Sequence, residues 1–246
     1  MFMKKSLIVI FLSLFFSGCA SIELGDAMSS QQYTQKILAL GLTHEENLVE
    51  ASKLSTPHLV SVVSLQLTNA RDEKIQDEID LIESDKFANQ VVISNNGLRF
   101  LGSEISESVK TGVLATDIDL YKYYLEGIKG GNSDKIQHTL RLIVFHNSKN
   151  KRDYLSANLC DKWGRCEDFK EDGSNNKLDI IVLSANASNC TSNSCNYSET
   201  LELKLTDKLL KDSIENGLNL KLISKKKSHK IKVSKPYIMG YSQVAI

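Results

Sequence analysis

The chain has 246 residues, 41% hydrophobic and 24% charged, with 30 basic residues against 30 acidic ones, five cysteines and two prolines. This composition excludes a disordered, fibrous or low-complexity chain, and the length allows one or two domains with a core that needs no staples. A net charge of zero gives no support to nucleic-acid binding, which draws on a basic excess.

At the start of the chain, Lys4 and Lys5 precede an apolar run from Leu7 to Phe16 that only Ser13 interrupts. As a helix this run reaches about 15 Å, half of a hydrocarbon core of about 30 Å, so it reads as a secretion signal and not as a membrane span. It closes in Phe16-Ser17-Gly18-Cys19-Ala20. That end resembles the lipobox of bacterial lipoproteins, with Phe16 where the family usually has Leu. The resemblance implies cleavage after Gly18 and acylation of Cys19. More than one acyl chain gives stable attachment where a single chain is marginal. The competing reading is a plain secretory signal with an accidental cysteine. Ala20 and Ser21 follow, with no Asp, which by the same resemblance favours the outer membrane with the domain facing the periplasm. The expected organisation is a signal over 1–18, a lipidated tether over 19–30, and one α+β domain over 31–246.

Setting Cys19 aside leaves Cys160 and Cys166, and Cys190 and Cys195. In an exported chain these read as two disulfides. Zinc is the rival reading, but no His lies inside either short loop. Local bridges contribute about 2 kcal/mol each and crossed bridges about 3.5, so energy alone does not choose between them. Local pairing is preferred because each pair flanks a turn-rich segment.

Thr43-His44-Glu45-Glu46 forms a capping box that opens a helix to about Leu54, which Thr56-Pro57 stops. Leu59 to Thr68 alternates as a half-buried strand. Ile75, Ile79 and Ile82 fall at helical spacing in a charged amphipathic helix from Arg71 to Lys86. Val91 to Ser94 and Leu98 to Leu101 flank the hairpin signal Asn95-Asn96-Gly97. Asp117 to Ile128 reads as a helix ended by Gly130-Gly131-Asn132.

From about His138 the chain is denser in strands: 139–145, 153–159, 178–184, 198–205, 218–224 and 230–233. One helix is inserted, with Thr206 as N-cap and Gly217 as its stop. The expected fold class is α+β: an antiparallel, β-rich, sandwich-like domain with N-terminal helices and one inserted helix. The stretch from His138 to Gly240 resembles a group of small exported proteobacterial proteins of unknown function. The resemblance rests on Ser156-Ala157, the Cys190 and Cys195 pair leading into Tyr197 and Glu199, Gly217, Lys221, and a Pro236-Tyr237 turn with Gly240. These proteins usually carry an Arg where this chain has Ser184-Ala185-Asn186, so no role for that Arg transfers.

No nucleophile elbow, Walker loop or dinucleotide turn is present. His138 and His146 flank one apolar strand and can meet an acid only through the fold. Lys225, Lys226, Lys227 and Lys230 lie in a hairpin where solvation, contact with a protein partner and contact with anionic lipid compete as readings. The sequence therefore points to a membrane-anchored envelope lipoprotein that works by binding or assembly, needing no cofactor or metal. The alternatives are a docking subunit of a larger envelope complex, using the lysine hairpin, and a hydrolase with a site assembled from distant residues.

Overall fold

The computed structural model describes residues 28–111, 117–130, 135–161, 163–166, 176–225 and 227–246. Helices α1 (Ser30–Leu38), α2 (His44–Ala51) and α3 (Pro57–Asn89) come first. Contacts divide the described residues into two compact units that meet between Lys74 and Ile75, inside α3.

In the first unit, two capping boxes set the helix starts. Ser29 and Gln32 exchange hydrogen bonds at α1, as do Thr43 and Glu46 at α2, each satisfying two otherwise unpaired backbone donors. Helix α3 starts where a stop was expected. Pro57 takes the first helical position, whose N–H would be unpaired anyway, and the Thr56 hydroxyl accepts from the Leu59 amide at 3.2 Å. The stretch expected as a strand, Leu59 to Thr68, is thus helical. Val63 and Leu67, one turn apart, are buried with Tyr33, Ile37, Ala51 and Leu54, while Leu65 is 62% exposed. The apparent alternation of Val63, Leu65 and Leu67 was an overlap of two periods.

In the second unit, the described residues form ten strands, all paired antiparallel in one curled sheet. The strands are β1 (Val92–Ser94), β2 (Arg99–Leu101), β3 (Ile105–Thr111), β4 (Asp117–Lys129), β5 (Ile136–Ser148), β6 (Tyr154–Cys160), β7 (Lys177–Ser188), β8 (Cys195–Leu205), β9 (Leu218–Ser224) and β10 (Ser228–Val233). They run in the order β1-β2-β4-β5-β8-β7-β6-β9-β10, and β3 shares the β4 edge with β2. Helices α4 (Asp207–Asp212) and α5 (Lys235–Ala245) complete the unit. The β-rich α+β expectation agrees with this architecture.

Alternation places the core. In β5, Leu140, Leu142 and Val144 are buried while the residues between them are half-exposed. Leu201 and Leu203 of β8 and Leu220 and Leu222 of β9 do the same from across the curl. Asn95, Asn96 and Gly97 take positive φ in the β1–β2 turn, as the hairpin signal requires. Two expectations fail. Asp117 to Ile128 is strand β4, because Tyr121, Tyr123 and Leu125 point inward at a period of two. The anticipated Pro236-Tyr237 turn is the start of α5, which buries Tyr237, Ile238, Tyr241 and Ala245 against the core.

Candidate functional site

Five ionisable side chains gather among the inward-facing residues of the curled sheet: Asp119 of β4, His146 of β5, Arg152 just before β6, Glu199 of β8 and His229 of β10. None is more than 5% exposed. The strand period puts His146 inward behind Leu140, Leu142 and Val144, and puts His229 inward ahead of Ile231 and Val233. The cluster splits into two linked parts.

The first is centred on Arg152. Its Nη2 donates to Asp119 Oδ1 at 2.9 Å, and its Nη1 lies 2.8 Å from Oδ2. Nη1 also donates to the Tyr154 hydroxyl at 3.3 Å and to His229 Nε2 at 3.1 Å. As an acceptor from a cation, His229 is a neutral ring with its proton on Nδ1, which lies 3.7 Å from Asp119 Oδ2. Burial, and then the charge of Arg152, push the His229 imidazole down to about 4. Burial likewise pushes the Tyr154 phenol up to about 12, against the opposing contact with Arg152. For Arg152 itself burial disfavours the charge, but the hydrogen bonds to Asp119 and Tyr154 outweigh it and hold the guanidinium firmly protonated.

The second part is centred on Glu199. Its Oε1 accepts from His146 Nε2 at 2.9 Å and from the Arg152 backbone amide at 2.8 Å, so residue 152 ties the two parts together. Burial raises the Glu199 carboxyl, yet the bonds from His146 and Arg152 prevail and hold it below the usual carboxylate range. Tyr197 stacks on the His146 ring, with centroids 5.2 Å apart and planes 20° apart. Glu199 therefore supports a histidine, and not the tyrosine two positions before it.

Ser148, His146 and Glu199 form a row that invites comparison with a hydrolytic triad. The Ser148 hydroxyl donates to the Asn150 carbonyl at 2.6 Å and lies 3.0 Å from His146 Nδ1, where the direction of the contact follows the tautomer of the ring. A serine nucleophile needs its proton handed to the imidazole, and here the Asn150 carbonyl competes for that proton. A surface depression of about 420 Å³ over Phe145, Asn147, Asn186 and Ser198 is also lined by His146 and the Tyr197 that stacks on it, so it borders the ionised cluster.

The remaining expected residues lie elsewhere. Cys160 bonds to Cys166 and Cys190 to Cys195, the local pairing. In the first of these loops the Asp161 carboxylate accepts from the Trp163 and Arg165 amides, both at 2.9 Å, and Trp163 is 74% exposed. Lys225 faces Asp153 at 3.4 Å, and the Lys230 ammonium donates to the Gly164 carbonyl at 2.7 Å. Lys227 closes the hairpin turn through its amide, which donates to Ser224 Oγ at 3.0 Å. Cys19 and Lys226 lie outside the described residues. His138, the other strand-end histidine, meets the Tyr241 hydroxyl at 3.0 Å and Asp207 at 3.6 Å. Asp119, Arg152 and His229 carried no local signal, since only the strand pairing brings them together.

Comparison with known protein families, curated proteins and solved structures finds no match to this chain. Among the described residues no three metal-binding side chains converge, and no helix is long and apolar enough to cross a membrane.

Proposed function

We propose that the chain is an envelope lipoprotein, anchored in the outer membrane through acylated Cys19 and acting in the periplasm by binding or assembly. The observation that carries the non-catalytic half is the competition of the Asn150 carbonyl, at 2.6 Å, for the Ser148 proton. That bond holds the serine proton on a backbone acceptor in the triad-like row of Ser148, His146 and Glu199. The members of the buried ion cluster satisfy one another, which fits a role in fixing strand register.

The anchor rests on the basic start, short apolar run and Ser17-Gly18-Cys19 ending. Two disulfides fit an oxidising compartment outside the cytoplasm. Docking through Lys225, Lys226, Lys227 and Lys230 draws less support, because Lys225 and Lys230 already face oxygen acceptors within the fold. Metabolic labelling with a radioactive fatty acid tests the anchor. The wild-type chain takes up label and Cys19→Ala does not; label retained on the variant rejects attachment at that residue.

A further inference from the structure

The second unit holds its part of helix α3 with Asp80 and Ser84 inward and three isoleucines outward. Lys235 of α5 reaches Asp77 at 2.6 Å and Asp80 at 3.3 Å. Gln76 donates to Asp80 at 2.9 Å, Gln243 donates to Ser84 at 3.2 Å, and Phe87 meets the Tyr237 ring edge to face at 5.2 Å. Asp80 and Ser84 are consequently buried, whereas Ile75, Ile79 and Ile82 are 47%, 43% and 60% exposed. The sequence expected the isoleucines to face the core. The ionic contacts to Lys235 fix the rotation of the helix the other way.

The exposed residues are spaced four and three apart, the pattern of a seam that receives a second helix. The positions flanking that seam are Gln76, Glu78, Glu83 and Asp85. Among the described residues none of the three acids is in an ion pair. Arg71, at the near end, is already paired with Asp72 at 2.8 Å. Pairing this seam with a second copy of itself would set acidic rows against acidic rows, which is unfavourable.

We infer that the Ile75, Ile79 and Ile82 face of α3 docks an amphipathic helix of a partner protein whose apolar seam is flanked by lysine or arginine. The inference rests on the reading of the chain as a binding protein, but not on its anchor. Apolar contact along the seam supplies affinity, and the unpaired Glu78, Glu83 and Asp85 select the charge of the partner.

The test uses the full-length chain in detergent and two fluorescent synthetic helices with the same leucine seam, one flanked by lysine and one by glutamate. The lysine-flanked helix binds saturably and the glutamate-flanked one does not. Ile79→Asp with Ile82→Asp lowers that affinity at least about tenfold while leaving the melting temperature in place, since both positions face solvent. Glu78→Lys, Glu83→Lys and Asp85→Lys together invert the preference between the two helices. The inference is overturned if the lysine-flanked helix does not bind, if both helices bind alike, or if sedimentation shows an isoleucine-dependent dimer of the chain itself. Fatty-acid labelling at Cys19 is independent of every one of these outcomes, so failure of the anchor and failure of the docking face are told apart.

Discussion

The guanidinium of Arg152 and the carboxylate of Asp119 lie against each other with N–O distances of 2.8 and 2.9 Å, and their side chains are only 5% and 2% exposed. A pair taken this far out of water gains little net stability, because desolvation offsets most of the attraction. Leaving one member behind without the other is the costly event. Arg152→Ala or Asp119→Ala should each cost about 3 to 5 kcal/mol. The double change Arg152→Met with Asp119→Leu should cost clearly less than the two single changes summed. Urea denaturation of the four proteins measures this, and strict additivity would show that the two side chains do not act as a pair.

The same cluster makes stability fall in acid. The folded chain holds His229 at about 4, while the unfolded chain titrates near the ordinary histidine value of about 6.5. Between those values the unfolded state binds more protons, so stability declines as pH drops from about 6.5 toward 4, by about 3 kcal/mol. Protonated His229 would meet Arg152 at 3.1 Å, with only Asp119 among its neighbours to offset the second cation; Tyr121 and Tyr154 bring no charge, and Lys227 and His146 oppose it. His138 is also lowered by burial, against the pull of Asp207, and acts in the same direction. Glu199 adds stability above its unfolded value of 4.5 that is lost as pH falls through its lower folded value. Thermal melts at pH 7.5 and pH 5 should therefore differ, and His229→Gln should shrink the difference. An unchanged difference in the variant would place the acid response outside this ring.

Local signals in the sequence matched the structure where the physics is local. The Thr43 capping box, the Thr206 cap, the Asn95-Asn96-Gly97 turn and strand β9 each involve residues within a few positions of one another. Strand β4 was illegible because Asp119 and Glu126 are buried charges, and they break the apolar alternation that announces a strand. Glu126 is reached by Arg99 at 2.7 Å from the neighbouring β2, which a reading of β4 alone does not reveal. Helix α3 defeated the reading for a related reason. Val63 and Leu67 are buried in the first unit whereas Ile75, Ile79 and Ile82 are exposed in the second, so no single stripe describes it. The His146 contact with Glu199 depends on β5 pairing with β8 in the register that sets His146 opposite Tyr197.

The Cys160–Cys166 bridge closes a loop of only a few residues, so in the chain-entropy model it contributes about 2 kcal/mol. Asp161 already pins the inside of that loop through the Trp163 and Arg165 amides and the Arg165 side chain at 2.6 Å. Cys160→Ser with Cys166→Ser should lower the stability by that amount or less and leave the core intact. Hydrogen exchange should speed up at residues 161–166 and stay unchanged in β5 and β8. Faster exchange throughout the sheet would mean that the loop bridge also holds the β6 edge in register.

Gly240 sets α5 close against α3 within the second unit. A Cβ at that position would run into the Ser84 carbonyl oxygen and lie 2.7 Å from Phe87 Cβ and 2.8 Å from the Ala88 nitrogen. These neighbours are mainly helix backbone and cannot step aside, so α5 would have to lift. Lifting it would draw the Tyr237 hydroxyl away from the Leu125 amide at 3.0 Å and the Ser103 carbonyl at 2.8 Å, both of which it now satisfies. Gly240→Ala should cost about 3 kcal/mol, at the upper end for overpacking. Tyr237→Phe, which removes only the hydroxyl and leaves the buried Leu125 amide unpaired, should cost about 1 to 3 kcal/mol. Gly41→Ala is the control, because nothing lies within 4 Å of the added carbon and only its φ of +65° resists, at about 1 kcal/mol. Melting temperatures ranked with Gly240→Ala lowest and Gly41→Ala nearest wild type would support the packing argument. A Gly240→Ala protein as stable as the Gly41→Ala control would reject a close contact between α5 and α3.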